Sequence, residues 1–348
     1  MIVRTLIGKH VVGVVLPVIV LVLVGVGCQA EAATPLPGLT ATPTVSEMPT
    51  LDPQTTAVDG EAGTTSTPLP SPSPGPTRTP AATPTPVICP YLRGRTETAS
   101  IQSEAMGEPV RYLVHLPPCY AQYRNRAFPV LYLFHGWPLD EWHWMELGAG
   151  RLMDDWSGRG LMGPFLIVMP GVDKDGLYVN SSGGPDSFEG FVVQELVPLI
   201  DAQYRTWSEP EGRAVGGISR GGVWALEIAM RHHDVFGRVG AHSPALTLNR
   251  PLPQYDPYRL ASEDMSSLQF YLDAGDADWA RAGAISLRDR LQEEGIDVIY
   301  QVHEGGHVDA MWQQALPDYL TFYSESWPGS YEALPPWAPA EQGSGSQP

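Results

Sequence analysis

The chain has 348 residues, long enough for two domains, and a formal net charge of −18 at pH 7. It holds no basic patch that would displace phosphate counterions, which excludes nucleic acid as a partner. The plainest reading of the acidity is solubility.

In chain order, residues 1–28 read as a targeting segment. Arg4, Lys9 and His10 precede an apolar stretch, Val11 to Gly27, that ends at Val26-Gly27-Cys28. The stretch is of marginal length for a membrane helix and is weakened by Gly13, Pro17, Gly25 and Gly27, so an export signal is expected. The segment resembles a bacterial lipoprotein signal. That resemblance implies a lipid on Cys28, a membrane anchor at the amino terminus and an extracytoplasmic, cell-surface location, with simple secretion as the alternative. Residues 29–87 are dominated by Thr, Pro, Ser and Ala. Too few large apolar side chains are present there to offset the entropy of ordering, so the segment is expected to be a solvated tether. At about 3.1 Å per residue it reaches on the order of 100 Å. Pro335 to Pro348 is expected to be a disordered tail.

Between them, residues 88–334 are expected to form one domain with a single doubly covered sheet. Strands are predicted at Val110–Leu116, Val130–His135 and Phe165–Met169, with helices over Glu146–Trp156 and Phe188–Tyr204. Asp186 and Glu189 suggest a capping box for the second helix, and Pro198 a kink within it. Further strands are expected before Ser219, at Leu268–Leu272 and at Asp297–Val302. Alternation of this kind gives a mostly parallel sheet with helices on both faces.

Ser219 lies in Gly216-Gly217-Ile218-Ser219-Arg220-Gly221-Gly222, between a short strand and the helical stretch Val223 to Met230. This is the Gly-x-Ser-x-Gly elbow, where glycines let the chain reverse while a serine is held exposed and strained. An acid and then a histidine follow in the order that an α/β-hydrolase requires. Asp273, Asp276 and Asp278 come at the end of one predicted strand. Asp273 is expected to remain in the strand, leaving Asp276 and Asp278 after the Gly275 turn. For the base, His307 competes with His303, His242 and His135; the Gly305-Gly306 turn is expected to swing His307 over the sheet edge. Cys89 and Cys119 are left as a pair once Cys28 is assigned to the signal, and a disulfide between them suits an oxidising compartment.

From Cys89 to about Ser326 the chain resembles the esterase-D-like family of α/β-hydrolases. Its members include S-formylglutathione hydrolases, feruloyl and acetyl xylan esterases, enterochelin esterases and mycolyltransferases. The residues that carry the resemblance are Tyr112 to Tyr120, Pro129 to Trp137, Gly216 to Gly222, Phe236 to Pro244 and Gly305-Gly306-His307. It implies an α/β-hydrolase fold and a serine esterase with no cofactor. In the family the acid falls three residues beyond the turn glycine, which selects Asp278. The oxyanion donors that the pattern implies are the backbone N–H groups of Trp137 and Arg220. Cys119 stands where the family commonly has glycine, which supports the bridge to Cys89.

Trp137, Trp142 and Trp144 follow the first active-site strand. Two of the three are expected to be loop packing, with Trp137 nearest the chemistry; Trp137 and Trp142 are the candidates for gripping an aryl acyl group or a sugar ring. Asn180 and Ser181, in a Gly/Ser/Asp-rich loop, are candidate substrate contacts. The Arg220 side chain is expected to be solvated or paired with an acid. Asp173 and Asp175 lack a complete ligand spacing, so no metal is expected. The expected activity is a serine carboxylesterase acting on small or carbohydrate-linked acyl esters. The alternatives are acyl transfer of the mycolyltransferase type and a non-catalytic surface-binding module.

Overall fold

The computed structural model describes residues 89, 92–172, 183–248 and 250–337. The signal segment, the tether, Cys28, Asn180 and Ser181 lie outside them.

Eight strands form one sheet: β1 (Arg95–Gln102), β2 (Pro109–Leu116), β3 (Val130–Phe134), β4 (Leu166–Gly171), β5 (Arg213–Ile218), β6 (Arg238–His242), β7 (Gln269–Gly275) and β8 (Val298–His303). Their spatial order is β1-β2-β4-β3-β5-β6-β7-β8. β2 runs antiparallel to both β1 and β4, and the remaining neighbours are parallel. Parallel strands are covered on both faces and read as continuous apolar runs, and β3 and β5 are buried at every position. Alternate side chains enter opposite cores. From β3, Val130, Tyr132 and Phe134 join one cluster, while Leu131 and Leu133 join the other.

Helices α1 (His143–Leu147), α2 (Ala149–Gly158) and α8 (Asp309–Ser324) cover the second face, contributing Trp144, Met153 and Tyr319. The first face is covered by α3 (Phe188–Gly190), α4 (Val197–Gln203), α5 (Arg220–Arg231) and α7 (Arg281–Glu293), with a short α6 (Pro257–Leu260). Trp224 on α5 is fully buried there, and burial of such a side chain stabilises by about 1.5–3 kcal/mol. Small residues let α8 approach the sheet. Gly216 and Gly240 are register partners in β5 and β6, and a Cβ at either would collide with the Tyr323 hydroxyl.

Several expectations are corrected. The helix expected over Glu146–Trp156 begins earlier and is broken at Gly148, which adopts φ 101° and caps α1. The cap of α3 is Ser187, whose hydroxyl accepts from the Glu189 N–H, and not an Asp186–Glu189 box. The stretch expected as one helix is divided: before Pro198 the chain widens into a π-helical segment, Phe191–Leu196, and Pro198 stands in the first turn of α4, where its missing N–H costs no helical hydrogen bond. Residues expected in the tail are ordered as far as Trp337: the Pro335 carbonyl accepts from the Ala127 N–H, and the Trp337 N–H donates to Asn125. Cys89 and Cys119 form a disulfide. Cys119 has φ 60°, a conformation that glycine adopts without penalty, which explains why glycine suits that position.

Candidate active site

Ser219 follows β5 and caps α5 with φ 56° and ψ −114°, far from the ordinary basins of an L residue. The surroundings over-determine it. Its N–H donates to the His242 carbonyl at 2.9 Å, and its own carbonyl accepts from Val223 and Ala245. A Cβ at Gly217 would strike the Gly221 carbonyl, and one at Gly221 would stand 2.5 Å from the Phe134 and His135 carbonyl oxygens, so both glycines of the elbow are sterically required. Strain held this way keeps the hydroxyl at the carboxyl edge of the sheet.

His307, in the loop between β8 and α8, reaches that edge. The Ser219 hydroxyl donates to its Nε2 at 2.9 Å, and its Nδ1–H donates to Asp278 at 2.9 and 3.1 Å. Asp278 follows β7 and is 7% exposed. Burial pushes its carboxyl up, but hydrogen bonds from His307, the Ser243 hydroxyl and the Ala280 N–H outweigh that and hold it below the usual range. Chemically, this lets the imidazole take the serine proton as the oxygen attacks a carbonyl, while the carboxylate stabilises the imidazolium.

Three residues around the imidazole had no role assigned from the sequence. Trp279 lies over its ring at 4.4 Å between centroids, and Trp312 meets it edge-on at 5.0 Å. Ser243 links the two sides, since its hydroxyl also accepts from Trp312 Nε1 at 3.1 Å. Trp279 adjoins Asp278 in sequence, which is the one signal that marked it.

The competing candidates are occupied elsewhere. Asp273 remains within β7, fully buried, and accepts from His242, His303 and Tyr319. Two of the histidines that compete with His307 therefore serve a different carboxylate. Asp276 accepts from the Gly305 N–H at 2.9 Å and shapes the turn before His307. His135 hydrogen-bonds the Gly136 carbonyl at 3.0 Å.

Gly136, Trp137, Pro138, Leu139, His143, Ser219, His307 and Trp312 line an open cleft of about 510 Å³. Trp137 follows β3, is 52% exposed, and offers its N–H with no hydrogen-bond partner among the described residues. Arg220 opens α5, where backbone N–H groups point out of the helix. Its side chain is neither solvated nor at the surface: it is buried, with its guanidinium 5.0 Å from the Trp224 ring. Of the loop tryptophans only Trp144 is packed inside, donating Nε1–H to the Phe134 carbonyl, while Trp142 is 41% exposed. Among the described residues no group of three or more His, Cys, Asp or Glu is arranged to hold a metal.

A family model described as putative esterase matches residues 103–323. The chain belongs to that family. An esterase of Mycobacterium tuberculosis is 30% identical over 255 residues, spanning 60% of this chain and 54% of that protein. The chain thus spans about half the length of the relative it matches. An endo-1,4-beta-xylanase/feruloyl esterase of Xylanibacter ruminicola is 33% identical over 154 residues, 42% of this chain and 21% of that one. Among solved structures, a ferulic acid esterase superposes with a TM-score of 0.62 at 24% identity, covering 68% of this chain and 99% of the other. The S-formylglutathione hydrolase of Staphylococcus aureus does so with a TM-score of 0.57 at 16% identity, covering 67% and 99%. At these identities the structural likeness speaks to the fold, which is that of the α/β-hydrolase esterases.

Proposed function

We propose that this member of the family is a serine carboxylesterase. Ser219 attacks the ester carbonyl, His307 takes its proton and returns it to the leaving alcohol, and water then hydrolyses the acyl-enzyme. Asp278 holds the imidazole in the tautomer that this needs. The Trp137 and Arg220 N–H groups receive the oxyanion. The observation that carries this reading is the strained Ser219 hydroxyl 2.9 Å from an imidazole whose other nitrogen is held by a carboxylate.

The substrates we propose are small or carbohydrate-linked acyl esters. An open cleft lined by exposed Trp137, with Trp279, 47% exposed, lying over the His307 ring, suits a flat acyl group or a sugar face presented from outside rather than a long chain enclosed within. The feruloyl esterase named among the relatives agrees with that class.

Incubation with a fluorophosphonate, followed by peptide mass spectrometry and a panel of acetyl, feruloyl and p-nitrophenyl esters, tests the reading. A single adduct on Ser219 is expected, with Ser219→Ala folded and nearly inert. Undiminished turnover by Ser219→Ala would sink the serine mechanism.

A further inference from the structure

The peptide unit joining Gly136 to Trp137 carries both a carbonyl and the unpartnered N–H described above, and in a trans peptide these point in opposite directions. Fixing the carbonyl therefore aims the N–H. Two donors fix it. The Leu139 N–H reaches the Gly136 oxygen at 2.9 Å across a turn, and His135 reaches it at 3.0 Å through Nδ1. The His135 ring is itself held from behind, because its Nε2 accepts from the Val172 N–H at 3.3 Å, just beyond the end of β4. A ring that accepts at Nε2 must carry its proton on Nδ1, which is the nitrogen facing the carbonyl. Burial keeps that ring neutral by pushing its pKa down, a tendency that nearby His143 reinforces and that Asp140 and the two backbone bonds oppose. His135 is 2% exposed and is not among the cleft-lining residues, so it acts through the peptide and not on the substrate.

We infer that His135 is a positioning residue: bridging the end of β4 to the Gly136 carbonyl, it turns the Gly136–Trp137 peptide so that the Trp137 N–H faces the oxyanion of acyl transfer. The inference rests on the serine-esterase reading above. Gly136 is also where the chain comes against the nucleophile, since a Cβ there would stand 3.4 Å from that of Ser219. A small rotation of this peptide thus moves a donor relative to the reacting carbon. A residue with only a packing role would place no constraint on the peptide's direction.

The test compares His135→Leu, which removes the donor, with His135→Gln, which keeps one. The readouts are kcat and KM on a p-nitrophenyl ester and affinity for two ligands: a trifluoromethyl ketone, which forms the oxyanion, and its non-reactive alcohol counterpart. In His135→Leu kcat is expected to fall, up to the roughly 10²–10³-fold that losing one oxyanion donor costs, with KM nearly unchanged. The ketone should weaken in parallel and the alcohol should not, with His135→Gln falling between Leu and wild type. Folded variants with wild-type kcat and ketone affinity would overturn the inference, and so would equal weakening of ketone and alcohol. If His135→Leu does not fold, the same ketone-to-alcohol ratio in His135→Gln decides. Turnover surviving in Ser219→Ala defeats the underlying reading instead; an inert Ser219→Ala beside unaffected His135 variants defeats this inference alone.

Discussion

Asp273, Asp276 and Asp278 sit at one strand end, yet each meets different partners. Asp273 is enclosed by His242, His303 and Tyr319, with burial pushing its carboxyl up and the two histidines and the tyrosine holding it down. Its hydrogen bonds fasten β6, β8 and α8 to β7. Asp276 accepts one backbone N–H, and an asparagine there keeps an acceptor oxygen for Gly305. Only Asp278 bonds the imidazole that contacts Ser219. Asp278→Asn is therefore expected to lower kcat by roughly 10⁴-fold, because the amide favours the wrong imidazole tautomer. Asp276→Asn is expected to remain close to wild type. Steady-state kinetics on both variants under one set of conditions checks this; a near-dead Asp276→Asn beside an active Asp278→Asn would reverse the assignment.

Among the elements, α3 is short, and Glu189 is what fastens it. This 3% exposed carboxylate accepts from the Gly184 N–H at 2.6 Å and from Arg231 and His232 at 2.7 Å, joining α3 to the end of α5. Burial pushes its pKa up, but these donors overcome it and depress it to about 2. A depressed carboxylate contributes stability that is present above its unfolded pKa of 4.5 and is lost as pH falls through the folded value. Glu189→Gln should thus cost about 3 kcal/mol at pH 7, by analogy with breaking a buried pair. The difference from wild type should shrink between pH 4.5 and 2. Urea titrations across that range measure it, and a pH-independent gap would mean that packing rather than charge is responsible. The sequence pattern exposes elements unevenly, for a physical reason. Buried parallel strands such as β3 and β5 are apolar throughout and are read directly. The edge strand β1, Arg-Thr-Glu-Thr-Ala-Ser-Ile-Gln, covers one face only and carries polar residues even there, so it had no signature. Strand ends and turn glycines pointed to Ser219 and His307 and narrowed the acid to Asp276 or Asp278, and the choice of Asp278 came from the family resemblance, because no local pattern separates two carboxylates in one turn. The supports from Ser243, Trp279 and Trp312 were not legible, since they arise from side chains that meet only once the sheet has formed.

At the scale of the whole molecule the two ends of the sheet do different work. Ser219, Asp278, His307 and Trp137 all follow the carboxyl ends of parallel strands, the edge where such sheets build their clefts. β2 runs the other way: its Leu116 end lies beside the beginning of β4, at the opposite edge. There the chain gathers the Cys89–Cys119 bridge, the Tyr331 hydroxyl on the Pro118 carbonyl, and the pairing of Pro335 with Ala127. A bridge closing a separation of 30 residues stabilises by about 3–4 kcal/mol, chiefly by restricting the unfolded chain. Because it lies at the far edge from the cleft, its loss should leave the reacting groups in place. Cys89→Ser/Cys119→Gly is therefore expected to melt well below wild type while keeping kcat and KM at 25 °C within about twofold, the glycine relieving the positive φ at position 119. Calorimetry together with ester kinetics on the double variant separates the two effects. A loss of kcat matching the loss of stability would show that the far edge of the sheet holds the catalytic edge in register.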